Sequence, residues 1–173
     1  MEVVKTTLDG VLLIRPNVNV DFRGDYVMTY NKALYKAMDI KADFVEEDIS
    51  TSMKNVLRGI HYSPSCWKLY QCLYGSLYYV IVNCDDKSPE FGKWEAFVIS
   101  DRNRWQIYKP PQYGAGMLVL SDFAILHYMQ SEYYNPDNPN QSTFMWNDKR
   151  FRVFWPCESP ILSQRDTIGE YVK

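Results

Sequence analysis

The chain has 173 residues, the usual size of one domain, and its 46% hydrophobic and 16% aromatic content can bury a core without disulfides or a structural metal. Lys and Arg number 19 against 21 Asp and Glu, a net charge of -2. No overall field therefore draws the protein to nucleic acid or to an anionic membrane, and an anionic ligand must be held by local cations. Cys66, Cys72, Cys84 and Cys157 form no C-x-x-C pair, which argues against a zinc ribbon or a thioredoxin-like motif, and they read as small buried hydrophobes.

In chain order, the opening MEVVKTTLDGVLLIRP carries a charge every few residues and lacks the apolar run of a signal peptide, and no later segment reaches the length of a membrane span. A cytoplasmic location is expected. Short apolar or alternating runs predict strands at 11–16, 56–62, 68–75, 76–84, 93–100, 105–111, 116–122, 123–134 and 151–156. Asp-Asp, Ser-Pro, Asp-Arg-Asn, Pro-Pro and Asn-Pro clusters between them supply turn chemistry. Tyr30, Leu34 and Met38 recur every four residues in TYNKALYKAMDI and predict a helix over 29–40. In the tail, Ser163 three residues before Asp166 resembles a capping box with Asp in place of Glu or Gln. With no internal repeat or linker, the pattern predicts one all-β domain over 1–173, a jelly roll with a few short helices.

Only two histidines are present. His61 follows Arg58 by three residues, so on a regular strand the two would face opposite sides unless Gly59 makes a bulge. A hydrogen-bonded core histidine and a catalytic base both stay open for His61. His127 and Tyr128 are adjacent in an apolar strand, so one faces in and the other out. No H-x-H or H-x-x-x-H pair favours a metal centre, and no glycine-rich phosphate loop favours a nicotinamide or ATP enzyme. Arg15, Arg23, Arg58, Lys68, Arg102 and Arg104 fall near turns or strand ends, where cations can meet a diphosphate. For Arg102 and Arg104 a solvated edge is the preferred reading.

The blocks VLRGIHY, KLYQCLYGSLYYVIVNCDDKSPEFGKW, IYKPPQYGAGMLVLSD, YYNP and WPCESPILSQRD occur in this order with small gaps. Together they resemble the dTDP-4-dehydrorhamnose 3,5-epimerase family, from about Val11 to Asp166. The resemblance implies a cupin jelly roll, usually dimeric, that epimerises a nucleotide-linked 4-keto sugar without metal or cofactor. It places the catalytic base on His61, the aspartate paired with that base on Asp166, and the tyrosine of the opposite sugar face on Tyr128. Lys68 matches the oxyanion lysine. Arg58 matches a diphosphate contact and Arg23 the arginine of a D-x-R-G motif, while Tyr134 falls in the substrate-binding YYNP block.

Departures from the family pattern bear on the substrate. The family's F-A-H-G reads Tyr113-Gly114-Ala115-Gly116, so Ala115 replaces a second active-site histidine. Tyr26 is still able to stack on a base, but Met28 replaces a glutamate expected to bond thymine. F-V-Q-D-N reads Phe44-Val45-Glu46-Glu47-Asp48, turning amide contacts at Glu46 and Asp48 into carboxylates that can accept from guanine N–H groups or sugar hydroxyls. These changes favour a branch acting on a GDP-linked 4-keto heptose, or 4-keto-6-deoxy sugar, in capsule or surface-polysaccharide synthesis. The expected reaction inverts C-3 and C-5, with inversion of C-3 alone second. A cupin keto-isomerase and a non-catalytic sugar-nucleotide-binding cupin are the rival readings.

Overall fold

The computed structural model describes residues 1–135 and 137–169. In chain order its elements are β1 (Glu2–Lys5), β2 (Leu12–Arg15), β3 (Val18–Asp21), β4 (Gly24–Val27), α1 (Lys32–Ala37), β5 (Glu46–Met53), β6 (Leu57–Tyr62), β7 (Lys68–Tyr74), β8 (Ser76–Asn83), β9 (Trp94–Ser100), β10 (Gln106–Lys109), β11 (Tyr113–Val119), β12 (Phe123–Gln130), β13 (Ser142–Thr143) and α2 (Gln164–Thr167). One sheet runs β1-β2-β10-β7-β12-β5, a second runs β13-β6-β11-β8-β9, and β3-β4 form a separate hairpin. The two large sheets make the jelly roll of a cupin.

Alternation along the strands explains the layers. On β8, Leu77, Tyr79 and Ile81 point between the sheets, where they meet Tyr70, Cys72, Ile107, Ala124 and Leu126 of the six-stranded sheet. The intervening Val80 and Val82 point outward and are covered by Phe144, Phe151 and Trp155. Both faces of β8 and β11 are thus buried, which is why these strands read as nearly continuous apolar runs. The outer face of the six-stranded sheet is covered by the segment around α1, where Tyr35 and Ile40 pack on Ile14, Leu69, Tyr108 and Met129. Each fully buried Ile or Leu in these layers contributes on the order of 2 kcal/mol.

Several sequence-based boundaries change. The 29–40 helix shortens to α1, capped by Asn31, whose side chain accepts from the Leu34 amide. Its buried residue is Tyr35 rather than the expected Leu34, which is exposed. The 151–156 run is not a strand. Phe151 and Trp155 are apolar because they cover the five-stranded sheet, and Arg152 between them has φ 49°, outside the strand region. Strand β5, absent from the apolar pattern, has the reverse polarity: Glu46, Asp48, Ser50 and Ser52 are the more buried positions, while Ile49 and Met53 are exposed.

Candidate active site

A cavity of about 290 Å³ lies between the two sheets, and residues from both line it. Its five-stranded side holds Arg58 and His61 of β6 with Ala115, Gly116 and Met117 of β11, and its six-stranded side holds Lys68, Tyr70, Lys109, Leu126 and Tyr128.

Arg58 and His61 share this cavity because β6 is bulged. His61 pairs with Ala115 and Arg58 with Met117, so a three-residue step on β6 matches a two-residue step on β11. The extra residue restores both side chains to one face. Gly59 sits in the bulge at φ 126°, a conformation open to glycine, and a Cβ there would lie 2.6 Å from Gly116 Cα and 2.8 Å from the Ala115 oxygen.

The same bulge seats the partner of His61. His61 Nε2 lies 2.7 Å from Asp166 Oδ1, and the Gly59 amide donates to that oxygen at 3.3 Å. The Ser163 hydroxyl donates to Asp166 Oδ2 at 2.8 Å and accepts from the Asp166 amide at 3.1 Å, so the expected cap of α2 also fixes the carboxylate. Burial opposes the charge on Asp166, but the His61 ring, the Ser163 hydroxyl and the Gly59 amide outweigh it and hold the carboxyl below its ordinary value. The Asp166 side chain is 3% exposed and that of His61 is 41% exposed. The aspartate is sealed in and the imidazole reaches the cavity with no hydrogen bond to Nδ1 from the described residues, an arrangement suited to an oriented general base.

Tyr128 faces the cavity from the other sheet, while its neighbour His127 points outward to Glu47 at 2.9 Å. Burial, followed by the negative charge of the cross-strand neighbour Asp48 and of Glu46, pushes the Tyr128 phenol up to about 12, so it keeps its proton at neutral pH. The Lys68 ammonium lies 5.0 Å from the centre of the Tyr128 ring. Burial lowers the proton affinity of Lys68, opposed by Cys66, Asp48 and Glu46.

Other expected residues divide between the cavity and the surface. Arg58 lines the cavity, its Nε bonded to the Ser52 hydroxyl at 2.9 Å. Tyr134 lines it too, and Glu46 stands behind the rim, accepting from Gln130 Nε2 at 2.5 Å and from the Tyr134 amide at 3.0 Å. Arg23 and Tyr26 lie apart from this cavity on the β3-β4 hairpin, where Arg23 pairs with Asp21 at 2.6 Å and Tyr26 is 69% exposed. Arg104 is not a solvated edge residue: it donates to Asp25 at 2.9 Å and ties the hairpin to the sheet. Arg102 is exposed, as expected. Arg15 stacks on Trp105 and pairs with Glu2, away from the cavity.

Three cavity residues escape the sequence reading. Arg165, adjacent to Asp166, donates through Nε to the Thr143 hydroxyl at 2.6 Å and adds a cation to the wall. The Ser63 hydroxyl is buried in the wall with no protein partner among the described residues. Lys109, the last residue of β10, is 1% exposed. Among the described residues, no three His, Cys, Asp or Glu side chains come together where they could hold a metal ion, and no helix is long and apolar enough to cross a membrane.

Across the interior of this cupin, a histidine paired with a buried carboxylate faces a phenol and a lysine of the six-stranded sheet, and the class this fold and site define is an isomerase of the epimerase type. The chain belongs to the dTDP-4-dehydrorhamnose 3,5-epimerase family, whose model matches residues 5–173. It is 34% identical over 174 residues to the dTDP-4-dehydrorhamnose 3,5-epimerase of Shigella flexneri, covering 98% of this chain and 95% of that one. A Neisseria gonorrhoeae protein of the same description is 35% identical over 173 residues, and there the match covers 98% of this chain but only 52% of the relative. The crystal structure of the dTDP-4-dehydrorhamnose 3,5-epimerase of Bacillus anthracis with TDP and PPi bound superposes with a TM-score of 0.93 at 31% identity, covering 99% of each chain.

Proposed function

We propose that this chain, acting as one domain, inverts C-3 and C-5 of a nucleotide-linked 4-keto sugar through an enolate, with His61 as base and Tyr128 as acid. The placement of these two groups on opposing walls of one cavity is the observation that carries this reading. A carbon beside a ketone gives up its proton only if the enolate is stabilised and a second group can return a proton from the other face. His61 takes the proton through Nδ1 while Asp166 holds the ring and stabilises the imidazolium. The Lys68 ammonium meets the developing charge on the keto oxygen, and Tyr128 delivers a proton to the face opposite His61. Arg58 and Arg165 supply the positive charge for the diphosphate.

For the nucleotide and sugar we favour a GDP-linked 4-keto heptose, or a 4-keto-6-deoxy sugar, used in surface polysaccharide synthesis in the cytoplasm. Glu46 supports guanine: each of its oxygens accepts one hydrogen bond and keeps a lone pair for a base N–H near the Tyr134 rim. Ser63 and the small side chain of Ala115, paired with His61, support a sugar with an additional polar carbon. A homodimer is part of the same reading, since Arg23 and Tyr26 reach a nucleotide only if the hairpin serves a second copy.

The test is incubation in deuterated water with GDP-linked and dTDP-linked 4-keto sugars, wild type against His61→Asn, read by NMR. Exchange at C-3 and C-5 that requires His61, with new stereoisomers, is expected and identifies the nucleotide. Exchange at C-3 alone reduces the activity to a single inversion. Absence of exchange on every substrate overturns the epimerase reading in favour of sugar-nucleotide binding, and deuterium at C-4 with the carbonyl moved to C-3 overturns it in favour of keto-isomerisation.

A further inference from the structure

Lys109 has a setting that the proposed chemistry leaves unused. It is the last residue of β10 and lines the same cavity, yet it is 1% exposed. Its Nζ donates to the carbonyl oxygens of Tyr113 at 2.7 Å, Pro110 at 3.1 Å and Cys66 at 3.3 Å. An ammonium has three N–H bonds, so all are committed and none is left for a substrate. The antiparallel register of β10 and β7 places Lys109 directly opposite Lys68. Two lysines are therefore neighbours on one face of one sheet, the buried one behind the one that meets the substrate.

We propose that Lys109 is a positioning residue that acts through Lys68, placing a fixed positive charge behind it so that Lys68 hands its proton more readily to the enolate oxygen. The inference rests on the enolate reading above. Proton balance is simple: the C–H proton passes to His61, Lys68 lends its proton to the oxygen as the enolate forms, and it recovers that proton as Tyr128 protonates carbon. Lys109 itself neither gains nor loses one.

The surroundings agree. Lys68 faces Glu46 and Asp48 from β5, Cys66 from the preceding loop, Tyr128 from β12 and Arg165 from α2, and the carboxylates favour its charged form. Lys109 faces Lys68, Cys66 and Cys84, with no carboxylate among the groups that act on it. Burial and then Lys68 push the Lys109 ammonium down to about 7, whereas its three carbonyl partners hold the proton in place. A charge held at Lys109 by those carbonyls lowers the pH at which the neighbouring Lys68 gives up its own proton.

The experiment compares pH profiles of deuterium exchange at C-3, on the 4-keto sugar nucleotide that wild type turns over, for wild type, Lys109→Met, Lys109→Arg and Lys68→Met. With Lys109→Met the alkaline limb is expected to move up by about one pH unit. Lys109→Arg, which keeps the charge, is expected to leave the limb near wild type. A folded Lys109→Met protein with an unmoved limb overturns the proposal, as does an Arg variant that shifts like Met. Lys68→Met separates the two layers: its inactivity supports the enolate reading, and full activity removes that reading and this inference together. Should Lys109→Met fail to fold, 13Cε-lysine NMR titration of wild type decides instead, linked steps for the two lysines supporting the proposal and independent ones overturning it.

Discussion

At the residue scale, the site turns on how Asp166 is held. Its carboxylate takes hydrogen bonds from Ser163 and Gly59 as well as pairing with His61. Asp166→Asn keeps the shape but replaces the anion, so the imidazolium formed during proton abstraction loses its counter-charge. The turnover number is expected to fall by about 100-fold or more, with KM little changed, in steady-state kinetics. The lowered carboxyl value also sets a pH dependence for folding. A carboxyl whose value falls on folding contributes stability that is complete above its unfolded value near 4 and is lost as pH drops through the folded value. Urea midpoints for wild type and Asp166→Asn are therefore expected to differ at neutral pH and to converge in acid. Tyr128→Phe removes the proposed acid and leaves His61 in place. It is expected to retain His61-dependent wash-in of deuterium at C-3 by NMR while inversion falls by about 100-fold.

At the element scale, the β6 bulge is the device that turns a run of seven letters into an active-site wall. Gly59→Ala puts a Cβ against the backbone of Gly116 and Ala115 at φ 126°. Backbone strain of this kind costs roughly 1–3 kcal/mol before the clash is counted. The melting temperature is expected to drop by several degrees, and the His61 to Asp166 contact is expected to weaken with it, seen as reduced exchange in the folded variant. The sequence carries a hint of this, since Arg58 and His61 share a face only if Gly59 breaks the period. What periodicity could not supply is the register with β11, which depends on residues more than fifty positions away. Strands β8 and β11 were legible because both faces are buried and their apolar runs are unbroken. Strand β5 was not, because its inner face, Glu46, Asp48, Ser50 and Ser52, is polar and its apolar residues, Ile49 and Met53, lie on the exposed face beside Glu47 and Thr51, the inverse of the pattern by which half-buried strands are recognised. Lys109 was hidden for a related reason: one charged letter at the end of an apolar strand looks like a boundary, and only the three carbonyls around it show that it points inward. The partner of His61 is 105 residues away, so resemblance rather than spacing identified it.

At the scale of the whole molecule, exposed apolar side chains lie on the β3-β4 hairpin and along β5, and the proposed homodimer would cover them. Phe22 on the hairpin turn is 98% exposed, Val20 and Tyr26 flank it, and Ile49 and Met53 are exposed along β5, which ends its sheet with one side unpaired. Sedimentation is expected to give twice the chain mass for wild type. Ile49→Lys combined with Phe22→Asp is expected to shift the protein to the chain mass without lowering the melting temperature by more than about a few degrees, as substitutions at exposed positions do.

The five-stranded sheet holds His61, with Asp166 of α2 behind it, and the six-stranded sheet holds Tyr128, both lysines and the carboxylates near the rim. This is a division of labour. Changes in β5, β7, β10 or β12 can alter one wall of the cavity without touching the His61–Asp166 pair. Substitution on one wall therefore leaves the geometry of the other in place, and the lysine pair of β7 and β10 sits wholly on one of them.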